Sequence, residues 1–300
     1  MPDYESGSGI YPVKPVSDFY HGQVLRGRLK IKGMIRRPIA STTRIILGLL
    51  SVAMMLAGYS WLSYRQHQKN PRDTTIPNWS QLTEGLERSV QWNERLEDRW
   101  LTDDAWATLT RLTAGLGLAV LGSCVLGLAM GCLQWIEALL HPPLSFLAKV
   151  PATAVIAVFM ALVGLGMKMY ITMIVFGILP SMAITVYQAV KEFPEELQYK
   201  AYTLGASHME VVGNIIFPYI LPKLMDATRL MIGPAMVYLI AAEMLFGDVG
   251  FGYRIRIQSK LLNMGVVYPY LAILAGFGFF MDSLLRTLQR RLAPWFHSQH

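Results

Sequence analysis

YKAYTLGASHMEVVGNIIFPYILP, residues Tyr199–Pro222, is a polar, glycine-centred stretch set between two long apolar runs. Its residues spell two short helices around a turn. Pro194 suits a first helical turn, where its missing N–H costs nothing. Glu195 and Glu196 follow it and favour the positive end of the helix dipole. Leu197, Ala201 and Leu204 recur at helical spacing and predict one apolar face. Gly205 supplies the positive φ that stops such a helix. Ser207 and Glu210 form a Ser-x-x-Glu capping box that opens a second helix. Val211, Val212, Ile215 and Ile216 make its apolar side, and Pro218 and Pro222 are expected to limit it. The segment is too polar to span a bilayer and too patterned for a slack loop. Two readings stand: an interfacial helix pair on lipid head groups, or a docking element for a cytoplasmic partner.

The surroundings are those of a membrane protein. Of 300 residues 53% are hydrophobic and 16% charged, against roughly 25% charged in soluble domains. The apolar excess lies in runs of about 20 residues, the length of a spanning helix. Cys124 and Cys132 share one such run, so they make no disulfide framework and read as small packing residues. The net charge of +7 is placed, not diffuse. Arg26, Arg28, Lys30, Lys32, Arg36, Arg37 and Arg44 precede the first apolar run, and no acid occurs from Phe19 to Arg72. That is the positive-inside pattern and argues for a cytoplasmic N-terminus over a nucleic-acid patch. A signal peptide fits poorly, because the charged leader is too long and no cleavage site follows.

The pattern predicts an all-α polytopic membrane protein with about six transmembrane helices. Residues 1–44 read as a cytoplasmic tail, 45–64 as the first transmembrane helix, and 65–104 as a periplasmic segment with short helices between Trp79 and Leu101. The core, 105–296, holds five further spans, near Ala105–Leu133, Val150–Leu165, Met169–Val190, Leu224–Phe246 and Val266–Leu285. Gly127 and Gly131, four apart in the second span, share a face and allow close helix approach. A short loop with Pro142 and Pro143 is expected at 134–149, and a turn at Gly164, Gly166 and Lys168. With both termini inside, loops 134–149 and 191–223 are cytoplasmic, the quoted segment among them.

That segment resembles the cytoplasmic coupling motif of binding-protein-dependent ABC importer permeases. The family pattern is Glu-Ala-Ala, three residues, Gly, nine residues, then Ile-x-Leu-Pro. Here Tyr199-Lys200-Ala201, Gly205 and Ile215-Ile216-Phe217-Pro218 keep the spacing and depart at the first two positions and at Phe217. Thr108–Gly131, Ala148–Gly166 and Met225–Tyr253, ending in GDVGFGY, resemble spans of the nitrate/sulfonate/taurine-type branch. The resemblance covers about Ile76 to Phe296. It implies a type I ABC importer permease-like fold in a bacterial inner membrane, with a coupling helix at about 194–217. Tyr199, Lys200, Ala201, Gly205, Ser207 and Glu210 would be the ATPase-coupling residues, with Lys200 able to pair with an acid on the partner. The implied partners are ABC ATPase subunits carrying ATP and Mg, a second permease copy in a homodimer, an extracytoplasmic solute-binding protein, and lipid. The implied solute is small and polar: nitrate, a sulfonate, taurine, bicarbonate or another small organic molecule.

The chain has no G-x-x-x-x-G-K-[ST] loop, nucleophile elbow or H-E-x-x-H site, so it is expected to be non-catalytic and powered in trans. Charges within apolar spans are functional candidates. Glu243 reads either as a structural carboxylate bonded to the GDVGFGY backbone or as a substrate-pathway residue with Tyr238 and Met244. Asp226 and Arg229 could pair or, as favoured, anchor their helix at the head groups; Arg111 and Asp282 read as structural or snorkelling. The many methionines read as gap-fillers rather than a metal path. An ion-gradient-driven transporter or channel is the alternative, and would need more paired intramembrane charges than the sequence offers.

Overall fold

The computed structural model describes residues 40–71, 73–91 and 99–295; among these the chain is helical, without strands. The basic cluster Arg26–Arg37, most of the 1–44 tail, and Phe296 lie outside the described residues. Two units divide the chain, Met1–Gly58 and Tyr59–His300. The described part of the first is the start of helix α1 (Ser41–Lys69), whose Ile45, Leu49 and Met55 stand exposed.

The second unit carries the core. Its helices are α2 (Trp79–Val90), α3 (Trp100–Cys132), α4 (Gln134–Leu147), α5 (Ile156–Val163), α6 (Met167–Lys191), α7 (Glu195–Thr203), α8 (His208–Val211), α9 (Phe217–Phe246), α10 (Phe251–Lys260) and α11 (Met264–Leu292). Five stretches are long and apolar enough to cross a bilayer: Ser41–Lys69, Trp100–Cys132, Met167–Lys191, His208–Phe246 and Met264–Leu292. A sixth candidate is a bent pair, Gln134–Leu147 and Ala152–Val163, with 83° between its halves.

Glycine explains why α3 and α6 lie side by side. A Cβ at Gly115 would meet Ile174 at 2.7 Å, one at Gly127 would meet Val186 at 2.5 Å, and one at Gly131 would meet Val190 at 2.5 Å. The expected Gly127/Gly131 face is therefore real and longer than expected. Residue numbers rise together along both helices, so α3 and α6 run parallel. Parallel neighbours oblige the intervening chain to return to the starting side, and α4 with α5 makes that return. Conversely, α9 runs antiparallel to α6: Tyr238 covers Gly177 at mid-helix and Lys223 bonds Glu192 at 2.5 Å just past the C-terminus of α6.

Two local expectations are corrected. Residues 134–147, expected as a loop because of Pro142 and Pro143, form α4. Leu144, with Ile136 and Leu140 beside it, packs on Met130 and Ala183, and Glu137 pairs with Lys191 at 2.8 Å. Packing overrides the proline penalty there. The span expected over Val150–Leu165 is instead a 3₁₀ turn, Ala152–Val155, and the eight-residue α5, too short to cross alone. Gly164 (φ +78°) and Gly166 (φ +109°) make the expected turn after it.

The bundle thus has two opposite ends. One gathers the C-termini of α3, α6 and α11, the N-terminus of α9, and the segment α7–α8. The other gathers α2, α10, the C-terminus of α9, and the N-termini of α3, α6 and α11.

Candidate functional site

At the first end, α7 closes in a complete glycine stop. The Gly205 N–H donates to the Tyr202 carbonyl at 2.9 Å and the Ala206 N–H to the Ala201 carbonyl at 3.1 Å, the paired bonds of a Schellman turn. Gly205 has φ +87° and open space around its Cβ position, so conformation and not crowding requires glycine. Ser207 then caps the next helix: the Glu210 N–H donates to Ser207 Oγ at 3.4 Å, and the Ser207 N–H donates to the Glu210 carboxylate at 2.8 Å. Tyr202 Oη lies 2.9 Å from His208 Nδ1, bridging the turn.

The second helix does not end at Pro218. A π turn, Val212–Ile216, carries α8 directly into α9, giving one apolar rod from His208 to Phe246. The wider turn relieves the clash a proline ring makes with the carbonyl four residues back. The expected apolar face of α7 also changes. Ala201 is buried, but Leu197 and Leu204 are exposed, the latter at 88%, as are Tyr199, Lys200 and Met209. Apolar side chains thus stand in the open on a rigidly capped segment.

At the opposite end lies a buried polar cluster. The chain leaving α9 turns through Gly247–Gly250 into α10, whose first amides have no intrahelical acceptors. Side chains from two other helices accept them. The Gly250 N–H donates to Asp104 Oδ1 at 2.8 Å, the Phe251 N–H to Thr108 Oγ1 at 3.0 Å, and the Gly252 N–H to Glu243 Oε2 at 3.0 Å. Arg111 donates to Glu243 Oε1 and to the Val249 carbonyl, both at 2.8 Å. Its guanidinium lies over the Tyr170 ring, 4.2 Å from the centroid. Arg254 donates to Asp104 Oδ2 at 2.8 Å and Tyr270 Oη to the same oxygen at 3.0 Å. Asp104 and Glu243 are fully buried, and Thr108, Arg111 and Arg254 nearly so. Two buried acids face two buried arginines, with the exposed Asp248 3.9 Å from Arg111, so the buried charges balance. In a dry setting that is the condition for burying charge at all.

Glu243 is thus bonded to the glycine loop, the geometry of the first of its two readings. A Cβ at Gly250 (φ +122°) would come within 2.6 Å of its carboxylate. Tyr238 lies half-buried against Gly177, and Met244 packs beside Phe251 and Tyr270. Asp104 and Arg254 were missed. A signal was present: Asp104, Thr108 and Arg111 stand at helical spacing on one face of α3.

Other charges resolve as helix contacts. Arg229 does pair with Asp226 (3.1 Å), but its shorter bond goes to Asp282 of α11 at 2.8 Å, so anchoring at the head groups is replaced by a bridge between helices. Lys168 is exposed. Met169, Met173 and Met182 are buried in the core, and among the described residues no three His, Cys, Asp or Glu side chains cluster as metal ligands.

The model of the family "binding-protein-dependent transport system inner membrane component" matches residues 120–294. The chain belongs to that family. It is similar to the taurine transport system permease protein of Escherichia coli, 31% identical over 63% of this chain and 69% of the relative. It is also similar to a putative aliphatic sulfonates transport permease of Bacillus subtilis, 28% identical over 62% of this chain and 66% of the relative. Among solved structures, an inward-facing form of the MetNI methionine ABC transporter superposes with TM-score 0.54 at 18% identity, over 67% of this chain and 99% of that one. The fold is that of type I ABC importer permeases, and the protein is a multi-pass permease subunit of a binding-protein-dependent ABC importer.

Proposed function

We propose that residues 194–217 are the seat of a separate ATPase subunit, and that this chain passes the ATPase's motion to a solute path. The observation that carries this is the continuity of the capped segment with the rod His208–Phe246. A helix fixed at its start by a capping box and continuous across the bundle can pass a displacement along its length. Tyr199, Lys200, Leu204 and Met209, all exposed, supply apolar and charged contacts; Ala201, Gly205, Ser207 and Glu210 fix their geometry. ATP and Mg²⁺ belong to the partner, and this chain supplies no catalytic group. The second half of the path comes from another copy of the chain, and an extracytoplasmic binding protein delivers the solute at the α2/α10 end. Both termini lie in the cytoplasm of a bacterial cell. The solute is a small oxyanion or zwitterion of the sulfonate, taurine or nitrate kind, in keeping with the relatives. The buried ion pairs are a staple for the α9–α10 turn; Tyr238 and Met244 are the candidates for the path.

Replacing Gly205 by Val tests the reading in the reconstituted transporter. Val cannot hold φ +87° without strain, so ATP hydrolysis should continue while taurine or sulfonate uptake falls. Undiminished ATP-driven uptake by this variant would remove the coupling assignment.

A further inference from the structure

Helix α11 is not part of the rod that meets the ATPase, yet it is tied to that rod in register. Arg229 of α9 grips Asp282 of α11 through Nε–Oδ1 at 2.8 Å and Nη2–Oδ2 at 3.3 Å. Seven residues earlier on α9 the Pro222 carbonyl accepts from Nε2 of the buried Gln289, seven residues later on α11, at 3.0 Å. Seven residues are two turns, about 10 Å. The two bonds are thus equally spaced rungs between antiparallel helices. Sliding either helix by one residue, or rolling it by one position, breaks both. The first rung is charge-assisted and forked. The second leaves an amide without a partner inside the protein if lost.

The far end of α11 is seated just as closely. Gly85 of α2 lies against the Gly265 carbonyl with no space for a Cβ, and a Cβ on Gly265 would come within 2.8 Å of the Gln81 carbonyl. Asn263, Gly265, Gln81, Glu84, Arg88 and Thr74 line a cleft of about 210 Å³ there. Gly265 and Gln289 are about 36 Å apart along the helix.

We propose that α11 is a second transmission rod. The Arg229–Asp282 and Gln289–Pro222 rungs take up the motion of the ATPase-seated helix, and α11 delivers it to the α2 cleft at the opposite end. The proposal rests on the coupling reading above. Arg229, Asp282 and Gln289 are positioning residues in it.

The test uses the whole transporter in lipid nanodiscs, where both faces are open to ATP and reagent, with Cys124→Ala and Cys132→Ala as background. One reporter is Thr74→Cys in the cleft, a second is Met209→Cys on the exposed ATPase-facing segment; both are read by labelling with a membrane-impermeant maleimide. ATP with vanadate should change the labelling rate at both positions, by about fivefold or more at Thr74→Cys, the lower range of coupling between sites. Asp282→Asn, which keeps side-chain size, and Gln289→Leu should abolish the Thr74→Cys response and leave the Met209→Cys response and ATP hydrolysis in place. Asp282→Glu, which keeps the charge opposite Arg229, should retain the response. A Thr74→Cys response that survives loss of both rungs overturns the proposal while the coupling reading stands. So does a cleft that never responds although Met209→Cys does. Silence at both reporters removes the coupling reading and the proposal with it.

Discussion

Glu243 and Arg111 sit where burial makes an unpaired charge costly. Glu243 is fully buried and takes bonds from Arg111, Thr108 and the Gly252 amide. Removing one partner leaves the other as an uncompensated buried charge, which costs about 3–5 kcal/mol, whereas replacing both by apolar groups is often near neutral. Arg111→Met should therefore lower the thermal stability of the detergent-solubilised protein sharply, and Arg111→Met with Glu243→Met should recover most of the loss. A double variant no better than the single would mean that the amide and hydroxyl bonds to Glu243, not the ion pair, hold the turn. Gly205 is a different case, since nothing lies near its Cβ position. The cost of Gly205→Ala is conformational, about 1–2 kcal/mol, and hydrogen exchange should place the loosening within α7 and the turn rather than in the core. The glycine was legible because stop-and-cap chemistry is local. The ion-pair cluster was legible only in part: the Asp104, Thr108 and Arg111 spacing shows a polar face, but not where α3 begins, at Trp100, nor that Arg254 would meet Asp104.

Among elements, α3 shows how far a pattern can be read. Its glycines divide into those that touch and those that do not. A Cβ at Gly127 meets Val186 Cβ at 2.5 Å and the Ala183 carbonyl at 2.8 Å, whereas Gly117 has nothing within 4 Å. Gly127→Ala should push α3 from α6 and destabilise the bundle by about 1–3 kcal/mol, the usual cost of overpacking. Gly117→Ala should be tolerated. Melting temperatures of the two variants check this, and equal losses would mean that backbone flexibility matters more than contact. Spacing alone identified the face with Gly127 and Gly131, but could not name the helix opposite or show that it runs parallel. In α4 the pattern misled. Consecutive prolines signal a break locally, yet Leu144 and the Glu137–Lys191 pair supply tertiary contacts that hold the helix. The π turn at Val212–Ile216 misled in the same sense, making one rod of what local signals divide at Pro218.

For the whole molecule the testable property is sidedness. The α7–α8 segment and the α2 cleft lie at opposite ends of the bundle. With native cysteines replaced, Thr74→Cys should react with an impermeant maleimide added to intact cells, and Ser207→Cys only after permeabilisation. The reverse result would invert the orientation, and labelling of both from one side would break the crossing count. What the sequence determined by itself is what depends on nearest neighbours along the chain and on the bilayer. Run length sets the crossings, glycine and capping residues set the Gly205 turn, and the motif spacing marks the family. What only the tertiary structure decided is which distant groups meet. Asp104 finds Arg254 across 150 positions, Arg111 finds Glu243 across 132, and Arg229 turns from its neighbour Asp226 to Asp282. The physical reason is that a bilayer core offers no water to satisfy a charge or an amide, so each polar group must find a partner within the protein. That partner is chosen by helix direction and register, which no local stretch of sequence contains.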